Sequence, residues 1–125
     1  MKIVVYLSGF YSLFFAVFHC GFWKMFNWNE ELKKLDVLNS GVMQILNVHL
    51  IYVLLFVSFV CGVFANELRS TKLGNAFLLG CSLFWVLRIV NQFIFYNEEP
   101  MSFGLIIFLL IGAVLFALPV FMKKR

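Results

Sequence analysis

One arginine and six uncharged polar residues are the side chains of this sequence best suited to chemistry. Arg88 is the strongest candidate, because it lies within an apolar run that holds no Asp or Glu. An ionisable group inside a membrane costs about 2.5–3.5 kcal/mol on insertion scales and is a functional candidate by default. Two interpretations stay open. In the first, Arg88 has a structural role: it bonds Gln44, Asn47, Asn91 or a backbone carbonyl, or it reaches toward loop carboxylates such as Glu98 and Glu99. In the second, it binds an external anion such as a carboxylate, a phosphate or a lipid headgroup.

The other polar residues lie on three apolar runs, at positions that a helix would bring to similar depths. Gln44 and Asn47 share one helix face, whereas His49 falls roughly 160° away at about 100° per residue. His19 follows the same face as Trp23, and Arg88 that of Trp85, by helical spacing. The predicted ligand-binding residues are Arg88, Gln44, Asn47, Asn91, Gln92, His19, His49, Trp23 and Trp85.

The two histidines also permit a different chemistry. His19 and His49 on neighbouring helices are suited to axial ligation of haem in a four-helix bundle, with Arg88 at a propionate. A copper or zinc site at His19, Cys20 and Met25 is a weaker alternative, because a third well-placed ligand is not evident. No cofactor is otherwise predicted, and no metal site is predicted.

Catalytic motifs are missing from the sequence. There is no G-x-S-x-G, H-E-x-x-H, C-x-x-C or glycine-rich phosphate loop. No nucleophile–base pair is evident among the intramembrane serines and cysteines. We therefore expect a protein that is not an enzyme.

Composition identifies the elements that must position these residues. The 125 residues are 63% hydrophobic and 13% charged, whereas soluble domains are about 45–50% apolar and about 25% charged. Four runs reach the length of about 20 residues that a membrane helix needs, at residues 3–23, 41–65, 75–96 and 103–122. The sequence predicts an all-α, integral membrane four-helix bundle in one transmembrane domain. This class excludes a disordered chain, a soluble enzyme and a nucleic-acid-binding domain.

The distribution of basic residues predicts the orientation of the bundle. With four spans, both termini and the middle loop share one side, which carries six basic residues against three on the other side. The six are Lys2, Arg69, Lys72, Lys123, Lys124 and Arg125. The positive-inside rule then places both termini in the cytoplasm, and we expect a bacterial inner membrane. In this orientation the polar residues lie in the outer half, with Arg88 about 12 Å below the outer boundary.

The loop between the first two spans predicts a short amphipathic helix at the membrane interface. Asn29 is a candidate cap, and Glu30 and Lys34 are spaced for an i,i+4 ion pair. Leucines recur at helical spacing between the charged residues, after Trp28. This segment either anchors the chain at the bilayer surface or covers an outer pocket.

These expectations combine into one functional hypothesis. The chain has an outward-facing polar pocket that binds a small anion or an anionic amphiphile for transport or sensing. Its expected partners are the lipid bilayer, this ligand, and either further copies of the chain or a partner membrane protein; nucleic acid is not expected. The alternatives are a b-type haem electron carrier and an accessory subunit of another membrane protein.

Overall fold

The computed structural model describes residues 2–96 and 103–122, and every regular element in this part of the chain is helical. Four long helices are α1 (Lys2–Cys20), α4 (Val37–Val63), α6 (Lys72–Phe95) and α7 (Phe103–Phe121). Shorter helices connect them: α2 (Phe22–Met25), α3 (Trp28–Glu31), a 3₁₀ turn (Leu32–Lys34) and α5 (Ala65–Ser70). Each long helix has the length and hydropathy to cross a membrane, which confirms the predicted four apolar helices and indicates a membrane protein.

Two of the long helices, α4 and α6, begin earlier than the apolar runs because polar residues cap them. Asp36 accepts a hydrogen bond from the backbone N–H of Asn39, so α4 starts four residues before the predicted span. Thr71 Oγ1 accepts from the N–H of Gly74, so α6 starts three residues early. Caps of this kind satisfy backbone donors that the first helical turn leaves unpaired. Hydropathy alone marks the apolar part of a helix and misses this polar first turn.

The chain divides into two compact units. Unit 1 contains Met1–Ser8 and Cys61–Arg125, and unit 2 contains Gly9–Val60. Arg88 and its predicted neighbours on α6 belong to unit 1, while both histidines belong to unit 2.

Unit 1 is built on close packing of α5, α6 and α7. At Gly74 an added methyl group would overlap the backbone of Leu68, so only glycine allows α5 and α6 to approach this closely. Ser82 on α6 donates a 2.7 Å hydrogen bond to the carbonyl of Ala113 on α7. Ala113 and the neighbouring Gly112 are buried, as expected for small residues at a helix interface in a membrane.

A proline inside α7 leaves one carbonyl without its helical donor. Pro119 has no N–H, so the carbonyl of Leu115, four residues earlier, cannot form the usual helical bond. Ser8, fully buried on α1, places its hydroxyl 3.1 Å from this carbonyl and 2.9 Å from that of Val4. Serine side chains commonly satisfy carbonyls freed by proline in membrane helices. The hydroxyl therefore compensates for the helix defect.

The loop in unit 2 differs from the predicted amphipathic helix. Asn29 lies within α3, and the residue before the helix is Asn27, in the left-handed region at φ 48° with no side-chain cap. Helical structure ends at Lys34 because Leu35 is extended. The predicted Glu30–Lys34 pair is wrong. Glu30 pairs with Lys33 at 3.0 Å and Glu31 with Lys34 at 2.7 Å, because one turn of helix and one of 3₁₀ bring i,i+3 positions together.

Much of the surface of the long helices is apolar. Side chains more than 60% exposed include Ile3 and Phe10 on α1, Leu46 on α4 and Leu73 on α6. Soluble monomers rarely expose apolar surface this extensively. Such a surface is suited to contact with lipid. The loop carboxylates Glu98 and Glu99, and the basic residues Lys123 to Arg125, lie outside the described residues.

Candidate functional site

His19 and Asn47 form the best-defined polar contact of unit 2. Asn47 is buried on α4, and its Nδ2 donates a 3.0 Å hydrogen bond to the backbone carbonyl of His19. A carbonyl only accepts, so this bond fixes the orientation of the amide and leaves Oδ1 facing the imidazole. Oδ1 lies 2.7 Å from His19 Nδ1. Nδ1 must therefore carry the proton, and the neutral ring has its lone pair on Nε2.

Trp23 and Gln44 form a second polar contact, one helical turn of α4 closer to the loop. The indole Nε1 of Trp23 donates to Gln44 Oε1 at 3.2 Å, and Gln44 Nε2 donates to the carbonyl of Ser40 at 3.3 Å. Gln44 and Asn47 thus bond residues that the chain contributes from α2 and α1. This agrees with their predicted position on one face of α4.

Aromatic rings pack around these two contacts. The ring centroids of His19 and Phe22 are 4.1 Å apart, and those of Phe22 and Trp28 are 5.9 Å apart. Trp28 is buried and meets Trp23 at 5.2 Å with an interplanar angle of 71°. Near-perpendicular arrangements are favourable for aromatic pairs and add to the energy of burial. These contacts hold α2 and α3 against each other.

An open groove of about 600 Å³ lies beside this aromatic cluster, within unit 2. It runs between the segment from α2 to the 3₁₀ turn (residues 22–34), called the α2–α3 loop below, and the first turns of α4. Its lining includes Trp23, Trp28, Leu32, Lys33, Leu35 and Gln44. Two of these residues, Trp23 and Gln44, belong to the predicted ligand-binding set. In the sequence, the others form part of the amphipathic pattern of the loop. Residue spacing does not reveal which of these side chains line a cavity.

His49 is placed apart from the other polar residues of unit 2. It is exposed, and its Nδ1 lies 2.8 Å from the carbonyl of Ile45 on its own helix. Because it is two residues beyond Asn47, it points away from the side of α4 that holds His19. Two axial ligands of one haem must both face that cofactor. The haem prediction gains no support from this arrangement.

Arg88 in unit 1 is half-buried and has a neutral partner. Its Nη1 donates a 2.9 Å hydrogen bond to Oε1 of Gln92, one turn further along α6. Gln92 is buried, whereas Asn91 is exposed. Trp85 is buried one turn before Arg88. Among the described residues of unit 1, no carboxylate forms an ion pair with this guanidinium.

Comparisons with known protein families, with characterised proteins and with solved structures give no match for this chain.

Proposed function

We propose that this chain is a membrane protein that binds a small anion, or the anionic head of an amphiphile, at Arg88. The observation that carries the proposal is the neutral partner of the guanidinium. The bond to Gln92 positions the guanidinium but does not compensate its charge. A hydrogen bond to a charged group contributes about 1.5–3 kcal/mol, whereas placing the charge in a membrane costs about 2.5–3.5 kcal/mol. An anion supplies the missing countercharge.

The guanidinium is suited to this role by its chemistry. It carries five N–H donors in a planar fork, of which one is used by Gln92. A carboxylate or phosphate accepts two of the others in parallel. Gln92 acts as a positioning residue that fixes the side-chain direction. Three expectations from the sequence stay predictions: further pocket residues, an aromatic lining, and a role in transport or sensing. The further pocket residues are Asn91, Gln44, Asn47, His19 and His49, and the aromatic lining is Trp23 and Trp85.

Ligand-dependent stabilisation tests the proposal. The full chain is purified in an uncharged maltoside detergent, and its thermal unfolding is followed in inorganic phosphate, acetate or hexyl phosphate against sodium chloride of equal ionic strength. An anion at 100 times its Kd stabilises the native state by about 2.7 kcal/mol. We expect the Tm of the parent chain to rise as the anion stabilises the native state, and the Tm of Arg88→Gln to stay unchanged. Arg88→Lys keeps the charge without the fork, and we expect a reduced rise.

The control removes a charge from the same helix at its other end. Lys72→Gln lies at the first residue of α6 and is exposed, so the rise in Tm should persist. Equal stabilisation of the parent chain and of Arg88→Gln contradicts anion binding at this residue, whatever the variant does to basal stability.

We also propose that the chain lies in a bacterial inner membrane with both termini in the cytoplasm. The excess of basic residues on one side supports this orientation. In this topology the α2–α3 loop faces outward, and Arg88 lies in the outer half of α6.

A further inference from the structure

The groove of unit 2 has a polar and an apolar part. Trp23, Trp28, Leu32 and Leu35 contribute apolar surface, while Ser40 and Gln44 contribute hydrogen-bonding groups. A cavity with both kinds of wall suits a ligand that is itself amphipathic. Arg88 is not among the lining residues, all of which belong to unit 2.

Two tryptophans give the groove a defined aromatic corner. The ring of Trp23 is held by its hydrogen bond to Gln44 and packs against Trp28 at an angle of 71°. The two rings meet edge to face, and both residues line the groove. Ammonium groups bind tryptophan faces through cation–π attraction, and quaternary ammonium groups are recognised by such aromatic walls.

The charge of the groove selects the ligand further. Of the described lining residues, Lys33 is the one that carries a charge, and it is bonded to Glu30 at 3.0 Å. The two side chains are 71% and 61% exposed, so their ion pair is weak and exchangeable. A cationic ligand would meet Lys33, and an anionic group that bonds Lys33 replaces Glu30 in this pair. A zwitterion supplies that anionic group and also carries an ammonium for the two tryptophans, so it adds no net charge to the groove.

The position of the groove indicates the source of such a zwitterion. The groove is formed by the segment that connects α1 to α4 and by the start of α4, and both of these helices have the length of a membrane span. Tryptophan and lysine at the ends of membrane helices lie at the level of the lipid headgroups. Phospholipids present a phosphate and an ammonium group at this level, joined to apolar chains.

We propose that this groove binds the headgroup of a zwitterionic phospholipid from the surrounding bilayer. The phosphate contacts Lys33, and the ammonium contacts the corner formed by Trp23 and Trp28. The apolar wall at Leu32 and Leu35 receives the upper part of the acyl chains. The bound lipid attaches the α2–α3 loop to the membrane surface.

Intrinsic fluorescence tests the proposal, because two of the three tryptophans line the groove. The full chain in maltoside detergent is titrated with dihexanoylphosphatidylcholine below its micellar concentration. Dihexanoylphosphatidylglycerol serves as the anionic comparison. We expect a saturable change in emission with the zwitterionic lipid and weaker binding of the anionic one. Arg88→Gln should bind the zwitterionic lipid as the parent chain does, which separates this result from the anion site.

Matched lysine variants locate the phosphate contact. Lys33→Gln removes the charge that lines the groove, and Lys34→Gln removes an equally exposed charge, paired with Glu31, that does not. We expect the first to weaken lipid binding about two- to fivefold and the second to leave it unchanged. Trp23→Leu should weaken binding, while Trp23→Phe should retain most of it because an aromatic face remains.

Three outcomes overturn the proposal. The first is no saturable change with the zwitterionic lipid. The second is equal weakening in Lys33→Gln and Lys34→Gln, or tighter binding of the anionic lipid, either of which would mean general surface attraction. The third is a change in emission that depends on protein concentration without lipid, which would assign the groove to a second copy of the chain.

Discussion

Asp36 determines where α4 begins, although it is fully exposed to solvent. One carboxylate oxygen accepts from the backbone N–H of Asn39 at 2.9 Å, and the other accepts from the side chain of Asn39. Both hydrogen bonds lower the pKa of Asp36 below its ordinary value of 3.8, and the backbone bond has the larger effect. The charged form of Asp36 is therefore more stable in the folded chain than in the unfolded chain.

This cap predicts a loss of stability in acid. Because the folded-state pKa is depressed, the stabilisation is fully present above the ordinary value of 3.8 and is lost as pH falls through the lower folded-state pKa. We expect the Tm of the parent chain to decline in this range more than that of Asp36→Asn. Asparagine caps helices well but does not titrate. The measurement is thermal unfolding of both proteins from pH 6 to pH 2.5, and identical acid slopes would contradict the role of the carboxylate.

For single residues, the sequence identifies candidate functional side chains more readily than it identifies their hydrogen-bond partners. Arg88 stands out by type, because it is the one charge inside the apolar runs. Its partner in the structure is Gln92, one turn further along α6, and not one of the amides expected from the sequence. The bond between His19 and Asn47 depends on the rotation of two helices that are separated by a loop. Burial and contact across helices are properties of packing, which residue spacing does not encode.

At the scale of elements, the hydroxyl of Ser8 and the proline of α7 form a testable pair. In the parent chain Ser8→Ala leaves the Leu115 carbonyl without either donor. We expect it to cost about 0.6–1.7 kcal/mol, as hydrogen bonds between membrane helices do. In a Pro119→Ala background the restored N–H satisfies Leu115, so Ser8→Ala should cost much less. The measurement is a double-mutant cycle of unfolding free energies in detergent.

Ser12 provides the matched control for this cycle. It lies one turn further along α1, it is 1% exposed, and its hydroxyl has no hydrogen-bond partner among the described residues. Removing an unpaired buried hydroxyl costs little or stabilises. Ser12→Ala should therefore be neutral or favourable in both backgrounds. Additive effects of Ser8→Ala and Pro119→Ala would show that the hydroxyl does not compensate for the proline.

The four long helices could be predicted from hydropathy, but the starts of α4 and α6 could not. Four runs of about 20 apolar residues are recognisable because lipid requires that length. The loop segment is shorter than its leucine spacing indicates, since Leu35 is extended and Asp36 starts a new helix. In this segment local capping outweighs the amphipathic pattern.

At the scale of the whole molecule, the distribution of basic residues predicts an orientation that labelling can measure. The three cysteines are first replaced, and Lys34→Cys or Ser70→Cys is introduced at exposed positions before α4 and before α6. We expect a membrane-impermeant maleimide to label Lys34→Cys in intact cells and Ser70→Cys only after permeabilisation. The reverse pattern would invert the topology, and labelling of both positions in intact cells would indicate two orientations.

The contact between Ser8 and Leu115 also has a consequence for the order of biosynthesis. The two residues are 107 positions apart, which corresponds to about 5–20 s of translation at typical rates. During that interval the hydroxyl has a partner on its own helix, the carbonyl of Val4 at 2.9 Å. The serine is thus satisfied within α1 before α7 exists. When the proline-containing helix emerges, the carbonyl of Leu115 comes within 3.1 Å of the same hydroxyl, which keeps its contact with Val4 and now also closes unit 1.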